Sequence, residues 1–162
     1  SRHSTSNYIV VITSVMRIEQ LDPIKLPLIA RLYKAHYPSA KPKKEELTIV
    51  GYVDGDLACV TRLRSIENYR LLTGMLVIPS YRGSGLAHQI MSYCKDSVFT
   101  KGDFCFAYTH LEKFYAKHNF KTIEPQQLPK HLQVMFERYS RSKKLVAMAY
   151  ELDEKCVFEL AE

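Results

Sequence analysis

The sequence predicts one α/β (α+β) domain, a mixed and mostly antiparallel central sheet flanked by helices. Three observations predict it. A length of 162 residues is about one domain's worth of chain, with a composition of 46% hydrophobic and 25% charged residues that supports a real core. β-branched and apolar runs of strand length alternate with stretches of helical periodicity. Asp54-Gly55 sits between two of the apolar runs and supplies the positive φ angles of a tight hairpin.

Taken in order, Ser1 to Asn7 is polar and unpatterned, a tail or an expression remnant, and the domain runs from residue 8 to 162. Tyr8 to Thr13, with Ile9, Val10, Val11 and Ile12, reads as the first strand. Asp22-Pro23 is a helix cap and first-turn pair, followed by Ile24, Leu28, Leu32 and Ala35 at helical spacing, although Pro27 can delay the regular helix. Tyr37-Pro38 stops it, and Ser39 to Glu46 suits a solvated loop or a short second helix.

Leu47 to Val53, Leu57 to Ile66 and Tyr69 to Ile78 then form an antiparallel meander, turning at Asp54-Gly55 and at Glu67-Asn68. Beyond a glycine-bearing loop, Leu86, Ala87, Ile90, Met91, Cys94 and Val98 share one helical face. Phe104 to Thr109 is a short strand, and Leu111 to His118 a short helix ending at Asn119, a residue that tolerates the left-handed conformation. Phe120 to Ile123 starts another strand. Leu128, Leu132, Met135, Phe136 and Tyr139 recur at helical spacing, covering either the core or a dimer partner, and Leu145 to Leu152 closes the sheet. Monomer and homodimer both stay open.

With 23 basic and 17 acidic residues the net charge is +6, which favours anionic partners without choosing among nucleic acid, phosphorylated cofactors and membrane surfaces. Charged or polar residues interrupt every apolar run well short of the ~20 residues a bilayer crossing needs, so no membrane partner is expected. Cys59, Cys94, Cys105 and Cys156 form no Cys-x-x-Cys pair and no secretory segment opens the chain, which reads as reduced thiols in the cytoplasm. The six histidines show no metal-ligand spacing, and no metal is expected.

The most informative segment is Leu76-Val77-Ile78-Pro79-Ser80-Tyr81-Arg82-Gly83-Ser84-Gly85-Leu86-Ala87. A strand runs into glycines and a helix begins at once. Gly83 and Gly85 let backbone approach a ligand, and the first N–H groups of the helix point outward at the positive end of its dipole. That outlines a pyrophosphate site. The Walker lysine and the Gly-x-Gly-x-x-Gly dinucleotide pattern are both absent.

In this segment the chain resembles the Gcn5-related N-acetyltransferase (GNAT) superfamily, whose acetyl-coenzyme A loop reads Gln/Arg-x-x-Gly-x-Gly/Ala; Arg82, Gly85 and Ala87 fit it. A second block, Phe114-Tyr115-Ala116-Lys117-His118-Asn119-Phe120, is similar to the family's Phe-Tyr-x-x-x-Gly-Phe segment. The order of elements matches from about Tyr8 to Leu152. The resemblance implies a single N-acetyltransferase domain whose fourth and fifth strands splay apart, so that the pantetheine arm of acetyl-coenzyme A adds like a strand to backbone near Leu76 and Val77.

It further implies the cofactor-binding set Leu76, Val77, Ile78, Arg82, Gly83, Ser84, Gly85, Leu86 and Ala87, and Tyr115 as the general acid. The oxyanion donor would be the Val77 or Ile78 N–H. No acidic residue lies within Tyr69 to Ile78, so the base is left among Glu67, His110 and a relayed water. Two departures stand out: Tyr108 replaces an Asn that many members carry, and Asn119 replaces the glycine before the final Phe. The implied reaction is acetyl transfer to a primary amine of an unidentified small molecule, peptide or protein. The segments Leu26 to Glu46 and Pro125 to Lys144 would choose that acceptor. Alternatives are a noncatalytic acyl-coenzyme A sensor and a relative that acetylates aminoacyl-tRNA. The basic clusters Lys41, Lys43, Lys44 and Arg141, Lys143, Lys144 read mainly as solvated faces, and nucleic acid is not expected as a partner.

Overall fold

The computed structural model describes residues 16–38 and 41–151. Seven strands form one sheet in the order β1-β2-β3-β4-β5-β7-β6. They are β1 (Arg17–Gln20), β2 (Leu47–Val53), β3 (Asp56–Ile66), β4 (Tyr69–Val77), β5 (Asp103–Tyr108), β6 (Phe120–Ile123) and β7 (Leu145–Tyr150). Only β4 and β5 run parallel; every other neighbouring pair is antiparallel. Four helices cover the sheet: α1 (Leu26–His36), α2 (Leu86–Ser97), α3 (Glu112–Ala116) and α4 (Lys130–Ser140). The expected mixed α/β architecture is the one observed.

The meander falls where the sequence places it. Asp54 and Gly55 take φ of 51° and 83°, the conformation a tight hairpin demands, and Asn119 takes φ of 69° at the end of the α3 segment. The strand expected at Tyr8 to Thr13 lies outside the described residues, as does Leu152 of the last one. The first described strand is Arg17–Gln20, a run with one apolar residue, Ile18, held by backbone pairing from Gln20↔Ile49 to Arg17↔Tyr52. Between α1 and β2 the described residues form no helix, the solvated-loop option of the two.

Helix α1 corrects the expected apolar face. Asp22 caps a 3-10 turn at Pro23–Lys25, its carboxylate accepting from the Ile24 N–H at 3.1 Å, and the regular helix starts at Leu26 with Pro27 in its first turn. Because the helix begins after that turn, Ile29 and Tyr33 face the sheet, while Ile24 and Leu28 are 80% and 58% exposed. The stripe is rotated from the one read off Ile24, Leu28, Leu32 and Ala35.

Alternate side chains along the strands sort the helices onto two faces. Ile49, Cys59, Leu63 and Leu72 pack with Ile90, Met91 and Cys94 of α2 and with Tyr115 of α3. Val50, Val60 and Leu76 pack on the other face with Ile29 and Tyr33 of α1. Leu71, Phe104 and Ala147 carry Leu132, Met135 and Phe136 of α4. No helix of the described residues is long and apolar enough to cross a membrane.

Candidate active site

Strand β4 changes register in its middle. Val60 faces Leu76 but Arg62 faces Thr73, so Thr61 alone stands opposite Gly74 and Met75: a β-bulge. Gly74 takes φ of 66°, and the Tyr33 hydroxyl donates to its carbonyl at 2.5 Å. A Cβ there would lie 2.8 Å from both the Tyr33 hydroxyl and Arg62 Nε, which leaves glycine as the residue that fits. Pairing between β4 and β5 is confined to Arg70↔Asp103, Leu71↔Phe104 and Leu72↔Cys105. From the bulge onward the two strands part, the expected splay.

A cavity of about 730 Å³ fills that gap, within the range of small-molecule sites. Its walls come from both faces of the sheet. Ala87, Phe114 and Tyr115 belong to the α2 and α3 side; Tyr37, Glu46, Arg62, Tyr139 and Lys143 belong to the α1 and α4 side, with Gly74 and Met75 of the bulge between. The cavity thus passes through the sheet.

Tyr115 stands in its wall, buried, with its ring edge-on to Phe114 at 5.0 Å and to Phe120 at 6.1 Å. Burial pushes its phenol well above the ordinary tyrosine range, with smaller contributions from Cys105 and Tyr37. It is therefore a protonated donor at neutral pH. Ala87 also lines the cavity; Leu76, Val77, Ile78, Arg82, Gly83, Ser84, Gly85 and Leu86 do not. The Leu76 side chain is buried against α1, and the Ile78 N–H already donates to the Ala58 carbonyl at 2.9 Å. Of the two oxyanion donors named from the sequence, Ile78 is thus engaged within the sheet.

The glycine loop is left-handed at both glycines and open around them. Gly83 and Gly85 take φ of 85° and 80°, and no atom lies within 4 Å of where a Cβ would sit on either. Arg82 Nε donates to the Val77 carbonyl at 3.1 Å and the Ser84 hydroxyl to the Tyr81 carbonyl at 2.6 Å, tying the loop back to β4. Gly85 caps α2 without a side-chain hydrogen bond, so the first N–H groups of that helix keep their capacity for a ligand.

Neither side chain named as a base lines the cavity. Glu67 sits in the β3–β4 turn, 3.0 Å from His131 Nδ1, and His110 is exposed and stacked on Tyr108 at 5.6 Å. Tyr108 itself is in the wall. Among the described residues the one carboxylate there is Glu46, which sequence reasoning passed over as part of a solvated loop. It forms an ion pair with Arg62 at 2.8 Å, the two side chains 3% and 5% exposed. Arg62 stacks over the Tyr33 ring at 4.8 Å, and its Nε is buried without a hydrogen-bond partner. An arginine in a strand pattern, followed by another at Arg64, was the available signal for both.

The three described thiols are buried and held protonated. Burial pushes Cys59 and Cys94 up to about 12 and Cys105 higher still, so none supplies a thiolate nucleophile at neutral pH. His88 Nδ1 and His118 Nε2 are 2.8 Å apart beside Phe114, and burial, then His88, lowers the His118 pKa. Among the described residues no group of three His, Cys, Asp or Glu side chains is placed to hold a metal ion.

The sequence model described as Acetyltransferase (GNAT) domain matches residues 28–136. In fold, the chain is similar to N-acetylglutamate synthase from Neisseria gonorrhoeae, solved with coenzyme A and N-acetyl-glutamate, at 15% identity and a TM-score of 0.68. That match covers 87% of this chain but 36% of the synthase, so the chain spans about a third of that protein's length. Rv2747 from Mycobacterium tuberculosis, solved in complex with CoA, matches at 14% identity and a TM-score of 0.60, covering 85% of this chain and 99% of that one. The ribosomal-protein-S18-alanine N-acetyltransferase from Escherichia coli matches at 12% identity and 0.61, covering 86% and 95%. At such identities the likeness is one of fold. No curated protein matches the chain in sequence.

Proposed function

The chain belongs to the GNAT acetyltransferase family, and from that premise we propose that it is an acetyl-coenzyme A-dependent N-acetyltransferase acting on a primary amine. The observation that carries the reading is the cavity through the β4–β5 splay, with a protonated Tyr115 in its wall and the uncapped start of α2 beside it. Acetyl-coenzyme A supplies an activated acyl group: transfer forms a C–N bond, breaks the thioester C–S bond, takes a proton from the amine and returns one to the sulfur.

Each step has a group to serve it. Gly83, Ser84, Gly85, Leu86 and Ala87 present backbone N–H groups suited to a pyrophosphate, and the open space at both glycines admits one. Leu76 and Val77 border the splay, where an extended arm can pair with backbone. The Val77 N–H is the remaining oxyanion donor of the two named. Tyr115 gives its phenolic proton to the departing sulfur, a transfer that burial keeps available across the neutral range. Glu46 is held by Arg62 and by the Lys43 N–H, so the amine proton leaves through water.

The test is calorimetric titration with acetyl-coenzyme A followed by thiol release in the presence of amines. Saturable binding and release are expected; absence of binding refutes the reading. The engagement of Glu46, the one carboxylate among the described lining residues, favours a second reading, an acyl-coenzyme A sensor, which binding without transfer to a broad amine panel would support.

A further inference from the structure

The cavity wall is electrically lopsided. Among the described residues, Lys41, Lys43, Arg62, Arg64 and Lys143 line it, against the single carboxylate of Glu46. That carboxylate is taken: its Oε1 accepts from Arg62 Nη1 at 2.8 Å and from the Lys43 N–H at 2.7 Å. The cations come from the α1–β2 loop, from β3 and from the α4–β7 loop, segments far apart in the chain, so the excess is a property of the assembled site and not of one charged run. One of them is fixed. Arg62 is buried at the bulge, and its Nε has no hydrogen-bond partner among the described residues. Lys143 stands 6.0 Å from the Tyr139 ring at the outer wall.

We propose that the acceptor is a small primary amine that also carries a carboxylate, received at this cation-lined end of the cavity by Lys41, Lys43 and Lys143, around the Arg62–Glu46 pair. The inference rests on the acetyltransferase reading above. A simple amine is itself a cation near neutral pH, with a pKa of about 10.4, and would carry positive charge into a concave positive wall. A carboxylate on the same molecule supplies the missing counter-charge and turns repulsion into attraction. The volume of about 730 Å³ has to admit the acyl end of the donor as well, which leaves room for an acceptor of small size.

The experiment measures thiol release at saturating acetyl-coenzyme A with matched probes: glycine, β-alanine, 4-aminobutyrate and lysine, each beside its carboxamide, together with putrescine and 2-aminoethyl phosphate. At least one acid is expected to exceed its amide by tenfold or more in kcat/KM, with the ratio shrinking as salt is added. The surface double variant Lys43→Ala/Lys143→Ala is expected to raise KM for that acid several-fold and to narrow the ratio. Turnover with ratios near one, or with putrescine or the amides preferred, overturns this inference and leaves the acetyltransferase reading standing. Preference for the phosphate overturns the carboxylate assignment. Binding of acetyl-coenzyme A with no turnover of any probe overturns the inference too. No binding and no turnover overturn both.

Discussion

Gly74→Ala tests whether the bulge is built by close approach or merely by a flexible residue. At φ of 66° an alanine pays the left-handed penalty of roughly 1–2 kcal/mol. Its Cβ would also lie 2.8 Å from the Tyr33 hydroxyl and Arg62 Nε and 3.0 Å from Arg62 Nη2. Those atoms belong to a buried, ion-paired cluster and have little room to retreat, which adds an overpacking cost of about 1–3 kcal/mol. The total is about 2–5 kcal/mol. Gly83→Ala is the control: φ of 85° gives the same backbone penalty, but nothing lies within 4 Å of its Cβ. Chemical denaturation of the two variants should therefore differ by about 1–3 kcal/mol, roughly 2–4 °C in Tm per kcal/mol for a domain of this size. Equal destabilisation would refute the close-approach account. Gly74→Ala as stable as the parent would refute the bulge itself.

Tyr115→Phe keeps the ring contacts to Phe114 and Phe120 and removes the proton donor, so kcat should fall about 10²–10⁴-fold with little change in KM for acetyl-coenzyme A; unchanged turnover in the thiol-release assay removes the acid role. Glu46→Gln and Arg62→Met each leave a buried partner uncompensated and should cost about 3–5 kcal/mol, whereas the double variant Glu46→Leu/Arg62→Met should cost less than the sum; additive costs by denaturation would show the pair is not coupled. Burial raises Cys59 from 9.0 and Tyr33 from 10.0, each to about 12. Above those ordinary values the unfolded chain binds fewer protons than the native one. Stability is therefore full below pH 9 and declines as pH climbs towards 12, by up to about 1.4 kcal/mol per pH unit per group. Denaturation between pH 9 and 11 should show a gentler decline in Cys59→Ala, and identical slopes would contradict the assignment.

Much of the fold was legible because its signals are local. Asp54-Gly55 has one economical backbone solution, Asn119 stops a helix by its own conformation, and the β2–β3–β4 runs are long enough to declare their period. The face of α1 was not legible. Proline and an Asp22 cap shift the start of the regular helix, and a shift of one residue turns a stripe by about 100°, which sequence spacing alone cannot detect. Strand β1 was missed for a different reason: an edge strand with only Ile18 apolar is held by the ladder, and no side-chain pattern announces it.

The site divides along the same line. The proposed phosphate loop and the proposed acid Tyr115 could be named from the sequence because each lies in one contiguous run of residues, Leu76 to Ala87 and Phe114 to Phe120. Glu46, Arg62 and Gly74 were not, because their meaning arises only when three distant segments meet. An isolated glycine in strand β4 was the available hint, since glycine inside a strand marks a bulge or a close backbone approach. It proves to be both.

Under the proposed function, that convergence would let one cavity serve two ligands. Ala87, Phe114 and Tyr115 approach the splay from one face of the sheet, and Arg62, Glu46 and Tyr33 from the other, with the Gly74 bulge as the wall they share. The Tyr33 hydroxyl fixes the bulge carbonyl, and the Arg62–Glu46 pair fixes the strand beside it, so the opening between β4 and β5 has a rigid rim on the acceptor side. A buried ion pair contributes little net stability compared with apolar packing of the same volume. Its place here is better accounted for by geometry: the pair holds Arg62 and Glu46 stationary beside the gap.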